Sequence, residues 1–305
     1  MNNRRVAVID LGSNSFKLLV AQGPHLLAVA EAYEDVRLLE KQAGGAISPE
    51  KFELGVRTVK RLHDLALEHH SDATAIVGTS VFRTATNARA FAEAILAETG
   101  LPLRVLSGEE EAEGIAAGVV TDSLVSELLR APAIFDLGGG SLEFIGDGGR
   151  FVCSWPLGAV RMMREFVRHP EGPVPPEVLH KIRTHVRETV KTVLQERVYA
   201  ETPLVFCGGV LAIAHRILAK KAEVSPALFP RKIPLIRLEV LLEHLAMRTA
   251  AERVSLDGIP AGRADVFPEA LAVVLEIADL CGADALIFSP RNLRYGMAAK
   301  LFSAS

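Results

Sequence analysis

Cysteine is scarce in this sequence. Three occur in 305 residues, Cys153, Cys207 and Cys281, each in or beside an apolar run. Their spacing makes no CxxC pair and no metal cluster. They read as buried small side chains, and an odd count without a framework suits a reducing cytoplasm. Long apolar runs are missing too, so nothing approaches the ~20 residues of a membrane span. The N-terminal MNNRRVAVIDLG puts a basic pair before a short apolar strand that Asp10 interrupts, which excludes a signal-peptide core. A cytoplasmic protein without membrane partners is expected. Nor is there an excess of positive charge. Lys and Arg number 34 against 37 Asp and Glu, a formal net charge of −3. That balance argues against a long nucleic-acid-binding face and leaves room for a small basic pocket facing a phosphorylated ligand. The nine histidines are scattered. His69 and His70 are adjacent rather than spaced i, i+4, and no histidine is assigned a metal.

What is present is a globular chain, 49% hydrophobic, with an internal repeat. Val8–Leu19 (VIDLGSNSFKLL) aligns with Ile134–Ile145 (IFDLGGGSLEFI), matching Asp, Leu, Gly and Ser in identical places. The copies lie a domain's length apart, too far for a solenoid and right for a duplication. Each copy reads as strand, Gly-rich turn, strand. Ser48-Pro49-Glu50 then opens a helix with Ser as cap, and Phe52, Val56, Val59, Leu62 and Ala66 share one face. A strand at Thr74–Val77, a helix capped by Asn87 and ended by Gly100, and a strand at Leu103–Leu106 follow. The second half repeats the logic, with helices over 177–198, 237–250 and 268–281 and strands at Leu204–Phe206 and Ala285–Phe288. Gly172–Pro176 is a loop whose prolines fix a helix entry. The class is α/β in two related halves, residues 1–124 and 125–291, with a last helix from about 292 packing back on the first half.

Several segments carry chemistry. A Gly-rich turn lets successive N–H groups cradle phosphate oxygens, and Ser13, Asn14, Ser15 and Ser141 add side-chain donors. The strand-end acids Asp10 and Asp136, with Glu143 nearby, can hold magnesium or its waters. Because the turn is duplicated, phosphate binding is preferred to two ordinary hairpins. In Ser107–Ala112 (SGEEEA) Ser107 and Glu110 form a capping box, so three acids at a helix start need no catalytic purpose; equally, one of them could polarise a water. Arg83 follows a buried strand and is either a bidentate phosphate clamp or a solvated loop arginine. Gly208-Gly209 either brings an anion to a helix start or makes a tight turn. Cys207 beside it has no local base and does not read as a nucleophile.

Taken in order, IDLGSNSFKLLV (9–20), GTSVFRTATN (78–87), VLSGEEEAEGIAAGV (105–119), FDLGGGSLEF (135–144), SWPLGAVRM (154–162), FCGGVLAIA (206–214) and SPRNLRYGMA (289–298) resemble the exopolyphosphatase and guanosine pentaphosphate phosphatase (Ppx/GppA) family of the actin-like ATPase superfamily. The resemblance implies two ribonuclease-H-like domains facing an interdomain cleft. It implies Glu111 as the base that activates water, and Mg2+ near Asp136 and Glu143 with a contribution from Asp10. Phosphate oxygens would be held by Ser13, Asn14, Ser15, Arg83, Gly138, Gly139, Gly140, Ser141, Gly208 and Gly209. A homodimer is implied by resemblance alone. Departures are Val210 and Leu142, where the family usually has Thr, and Arg37–Lys41 (RLLEK), where it has Arg-Leu-Gly-Glu-Gly. The leading expectation is an exopolyphosphatase acting on inorganic polyphosphate; the alternative is hydrolysis of guanosine pentaphosphate. Lys220, Lys221, Arg231 and Lys232 offer only a modest basic stretch for a polyanion. The competing classes are a non-catalytic polyphosphate or nucleotide sensor, opposed by the retained Glu111, Asp136 and Glu143, and an actin-like kinase, opposed by the SGEEEA segment.

Overall fold

A computed structural model of the chain describes residues 4–38, 45–128, 131–198, 201–255 and 259–303. Of the Arg37–Lys41 segment, only Arg37 and Leu38 fall among them. The chain forms two compact units, residues 1–126 with 291–305, and residues 127–290.

Unit 1 begins β1 (Arg5–Leu11), β2 (Ser15–Gln22) and β3 (Leu27–Asp35). It continues α1 (Pro49–Glu68), β4 (Ala73–Gly78), α2 (Ser80–Thr84), α3 (Ala88–Thr99), β5 (Leu103–Val105) and α4 (Gly108–Val120), and α5 (Ser123–Leu128) leads out. The sheet order is β3-β2-β1-β4-β5, antiparallel on the β3 side and parallel at β4 and β5. The β1–β2 strands are buried almost throughout, as a central pair covered on both faces requires. Ser48 caps α1, accepting from the Lys51 N–H, and Gly100 ends α3 in the left-handed region at φ 72°. Asn87 does not cap α3. Its side chain instead exchanges two 2.9 Å hydrogen bonds with the Ile47 backbone, a tertiary pairing that outcompetes the local cap.

Unit 2 runs β6 (Ala133–Leu137), β7 (Leu142–Gly146), β8 (Phe151–Trp155), α6 (Ala159–Phe166), α7 (Pro176–Arg197), β9 (Leu204–Cys207) and α8 (Gly209–Lys221). Then come β10 (Lys232–Pro234), α9 (Leu235–Ala246), α10 (Ala250–Val254), α11 (Phe267–Leu280) and β11 (Ala285–Phe288). The helix expected over 237–250 is thus shorter, and a separate α10 with its own Thr249–Glu252 capping box follows it. The sheet order is β10-β11-β9-β6-β7-β8. Its core stacks Phe135 between Phe144 and Phe206, each pair 4.9 Å apart. Alternation along β6 and β7 then turns Asp136 and Glu143, the next residues in register, to the opposite face. Cys207 and Cys281 are buried, but Cys153 on the edge strand β8 is only half-buried. The last helix, α12 (Leu293–Ser303), belongs to unit 1 and crosses α4.

Unit 2 also buries an acidic side chain in its core. Glu269, in the first turn of α11, is fully buried, and neither carboxyl oxygen has a hydrogen-bond partner on any other described residue. Desolvation pushes its pKa up to about 7, opposed only in part by its own backbone N–H and the Arg253 guanidinium; Asp265 adds to the rise. A carboxyl raised on folding contributes stability that is intact below its unfolded pKa and lost as pH climbs through 7. Glu269→Gln removes that loss. Between pH 5 and pH 8 the stability of the variant relative to wild type is expected to rise by roughly 3 kcal/mol, read from urea melts at each pH. A pH-independent difference would show that Glu269 is ionised in the native state throughout.

Candidate functional site

The second Asp-Leu-Gly turn is built by four hydrogen bonds from one helix start. Gly138 N–H closes the hairpin on the Ser141 carbonyl at 3.0 Å. The Gly138 carbonyl accepts from Ala159 N–H at 2.9 Å, and the Gly139 carbonyl from Val160 and Arg161 N–H at 3.0 and 3.2 Å. The Gly140 carbonyl accepts from Arg161 Nε at 3.2 Å. In a trans peptide the C=O of one residue and the N–H of the next point opposite ways. With the three carbonyls drawn toward α6, the N–H groups of Gly139, Gly140 and Ser141 face away from it. None of them donates to a described residue. Three adjacent outward N–H groups form a nest for an anion. Gly158, just before α6, is required by this packing, since a Cβ there would overlap the Gly139 and Gly140 backbone.

Asp136 and Glu143 are direct cross-strand partners beside this nest. Glu143 is 2% exposed and accepts from Ser154 Oγ at 3.0 Å. Like charges facing each other across a ladder are unfavourable unless a cation joins them. The donor set is hard oxygen on one or two carboxylates, which suits magnesium held together with waters and substrate phosphates. It is not a closed protein cage: among the described residues no three His, Cys, Asp or Glu side chains converge on a metal position. Leu142 is fully buried, its side chain turned to the core by the same alternation that turns Glu143 to the opposite face. Val210 likewise packs into the core from the first turn of α8.

Gly208 stands at φ +89°, and a Cβ there would overlap Asp136 Oδ1, so glycine is what lets the late loop approach the acid. Cys207, opposite Asp136 across β6 and β9, donates to the Phe135 carbonyl at 3.4 Å. Burial, and then the charges of Asp136 and Glu143, push its thiol well above the usual range, which removes it as a nucleophile. Arg263, only 8% exposed, lies against Gly209: a methyl on Gly209 would come 3.7 Å from Nη2. Sequence reading passed over Arg263, because the approach joins residues far apart in the chain with no local motif.

The first turn follows the same plan with different fittings. Gly12 N–H closes on the Ser15 carbonyl at 3.1 Å. The Asn14 carbonyl accepts from Val36 and Arg37 N–H at 3.0 and 2.8 Å. Ser13, Asn14 and Ser15 are all buried, and Asn14 Nδ2 is a buried donor with no partner among the described residues. An orphaned donor of this kind costs stability unless a ligand accepts from it. Asp10 stands opposite Lys17, where the second copy has the acid pair.

In the same unit, of the three acids at the start of α4, Glu109 is exposed and Glu110 is spent on structure. Glu110 completes the capping box with Ser107 and pairs with Arg104 at 2.6 Å; the Ser107 backbone, then Arg104, hold its carboxyl below the usual range. Glu111 is turned inward, 8% exposed, and its Oε2 accepts from Arg83 Nη1 at 2.7 Å. The same Nη1 donates to the Leu106 carbonyl at 3.0 Å. Arg83 therefore orients the carboxylate. Behind this acid α4 crosses α12 at glycines: a Cβ on Gly118 or Gly296 would fall inside the backbone of the facing helix.

A duplicated strand–turn–strand unit, each copy heading a mixed sheet with an acid at the strand end and a Gly-rich turn beyond it, defines a two-unit α/β protein of the actin-like type. Within that class, the chain belongs to the Ppx/GppA phosphatase family, whose model matches residues 19–304. The family is one of hydrolases. An uncharacterized protein of Streptomyces coelicolor is 30% identical over 303 residues, covering 96% of this chain and 89% of that one. A guanosine-5'-triphosphate,3'-diphosphate pyrophosphatase of Vibrio vulnificus is 29% identical over 320 residues, and the match covers 99% of this chain but 60% of the Vibrio protein. An exopolyphosphatase from Cytophaga hutchinsonii shares the fold with a TM-score of 0.89 at 22% identity, covering 99% and 98% of the two chains. An Aquifex aeolicus Ppx/GppA family member shares it at 0.80, also 22% identical, with the same coverage. No helix among the described residues is long and apolar enough to cross a membrane.

Proposed function

We propose that the chain is an exopolyphosphatase that releases orthophosphate from the end of inorganic polyphosphate. The observation that carries this reading is the row of Gly139, Gly140 and Ser141 N–H donors without an acceptor among the described residues, beside the Asp136–Glu143 pair. Each turn offers groups that recognise phosphoryl oxygen: the backbone N–H row in the second copy and the buried Asn14 amide in the first.

In this reading Glu111 takes a proton from water as the water oxygen attacks the terminal phosphorus. The bridging P–O bond breaks, and the shortened chain leaves with the bridging oxygen. Arg83 holds one oxygen of the base so that its carboxylate keeps a fixed direction. The turn N–H groups hold the equatorial oxygens as charge builds on them, so catalysis is mainly positioning and charge neutralisation. Magnesium, held by Asp136 and Glu143, would neutralise phosphate charge. Asp10 faces Lys17, so the second copy is the principal cation site and the first an anion grip.

A second reading, hydrolysis of guanosine pentaphosphate, is favoured by the name of the Vibrio relative, of which this chain spans 60%. Phosphate release with magnesium separates the two. The expected order is long polyphosphate, then short polyphosphate, then guanosine pentaphosphate. The reverse order selects the second reading, and release from none overturns both in favour of a sensor.

A further inference from the structure

The three peptides of the second turn are not pinned in the same way. Glycine at 138, 139 and 140 gives the backbone no preference of its own, so the direction of each N–H depends on what holds the preceding carbonyl. Two of the carbonyls, Gly138 and Gly139, are held by backbone N–H groups of α6, which any sequence would supply. The third is held by a side chain: Arg161 Nε on the Gly140 carbonyl. That peptide carries the Ser141 N–H.

The first copy of the repeat shows that this peptide is pinned there too. Asn14 occupies the place of Gly140, and its carbonyl is fixed by two backbone N–H groups, from Val36 and Arg37. Both turns therefore immobilise the same peptide, once through the main chain and once through a guanidinium. Main-chain pinning survives substitution; the arginine does not.

We propose that Arg161 is a positioning residue of the phosphate turn. By holding the Gly140 carbonyl it keeps the Ser141 N–H aimed at the substrate's phosphoryl group. This rests on the phosphate-binding reading of the turn given above. The contact is made by Nε, and the Nη atoms hydrogen-bond to no described residue. The rival account has that fork touching the substrate by charge.

Three variants of the full chain divide the accounts. Arg161→Gln puts an amide N–H donor the same number of bonds from the backbone as Nε while removing the charge and the fork. Arg161→Lys keeps the charge and has a methylene where Nε was. Arg161→Leu removes both. Because Arg161 is exposed, all three are expected to melt with wild type. Losing one charge-assisted hydrogen bond to phosphate is worth about tenfold or more in kcat/KM, so Leu and Lys should fall by that much and Gln should stay within about threefold of wild type. A Gln variant as poor as Leu with an active Lys variant would overturn the proposal in favour of direct charge contact. A Leu variant equal to wild type would overturn it outright. The amide resonances of Gly139, Gly140 and Ser141, titrated with inorganic phosphate, give a readout independent of turnover. Should wild type hydrolyse no substrate, the proposed function falls. The positioning role would still be supported by a Ser141 shift in wild type and Gln but not Leu, and overturned by no shift in wild type.

Discussion

Glu111→Gln is expected to lower kcat for phosphate release by about three orders of magnitude, within the range that general-base catalysis supplies. The substitution keeps the shape of the side chain and an oxygen that can still accept from Arg83. What it removes is basicity. Arg83 is about a quarter exposed in the pair, so losing the partner charge costs of order 1 kcal/mol of stability or less. The thermal transition should scarcely move. Glu110→Gln is the internal comparison: its carboxylate is occupied by the helix cap and Arg104, and activity should hold to within about twofold. Equal losses in the two variants, or unchanged release in Glu111→Gln, would remove Glu111 as the base.

Gly296→Ala is expected to destabilise unit 1 by about 3 kcal/mol, the upper part of the range for forced overpacking. At this crossing the obstruction to a Cβ is the Gly114 carbonyl, and at Gly118 it is the Asn292 carbonyl. Backbone cannot rotate away as a side chain can, so α12 must lift from α4. An alanine in a helix interior gains about 1 kcal/mol over glycine, too little to offset this. Gly55 in α1 makes the contrast: a Cβ there meets the Phe91 ring, which can yield, so Gly55→Ala should come out far milder. The Gly118→Ala/Gly296→Ala double variant should cost less than the sum of its parts, because the first substitution already opens the crossing. Urea melts with probes in each unit would show the loss confined to unit 1; an undisturbed transition would mean that the helices do not touch as closely as described.

What the sequence disclosed and what it withheld divide by range. The two hairpins, the Ser48 cap, the Ser107–Glu110 box and the Gly100 stop are decided within a few residues, and all were readable. β3 was not, because its alternation is carried by Ala and Glu, which have poor strand propensity, and it lies on a half-exposed edge. Asn87 looked like a cap until Ile47 competed for it. Among the candidate residues, the inward turn of Glu111 became plain only once Arg83 and Arg104 were seen to take different acids of the same run. Arg263 lies against a glycine distant in sequence and no local motif marks it, whereas Arg161 falls within the SWPLGAVRM segment, which does not disclose the carbonyl it holds.

The crossing of α12 on α4 also orders the birth of the molecule. Arg291, at the head of α12, bonds the Thr121 carbonyl at the foot of α4, 170 positions earlier. On the ribosome the whole of unit 2 is made in between. Unit 1 thus emerges with the glycine face of α4 bare and waits for its last helix, while unit 2 has a continuous chain and can condense first. The closure spans a long loop, entropically costly and slow. A chain arrested before residue 291 should yield a protease-resistant unit 2 joined to an incomplete unit 1, so the half that bears Glu111 is the last to mature.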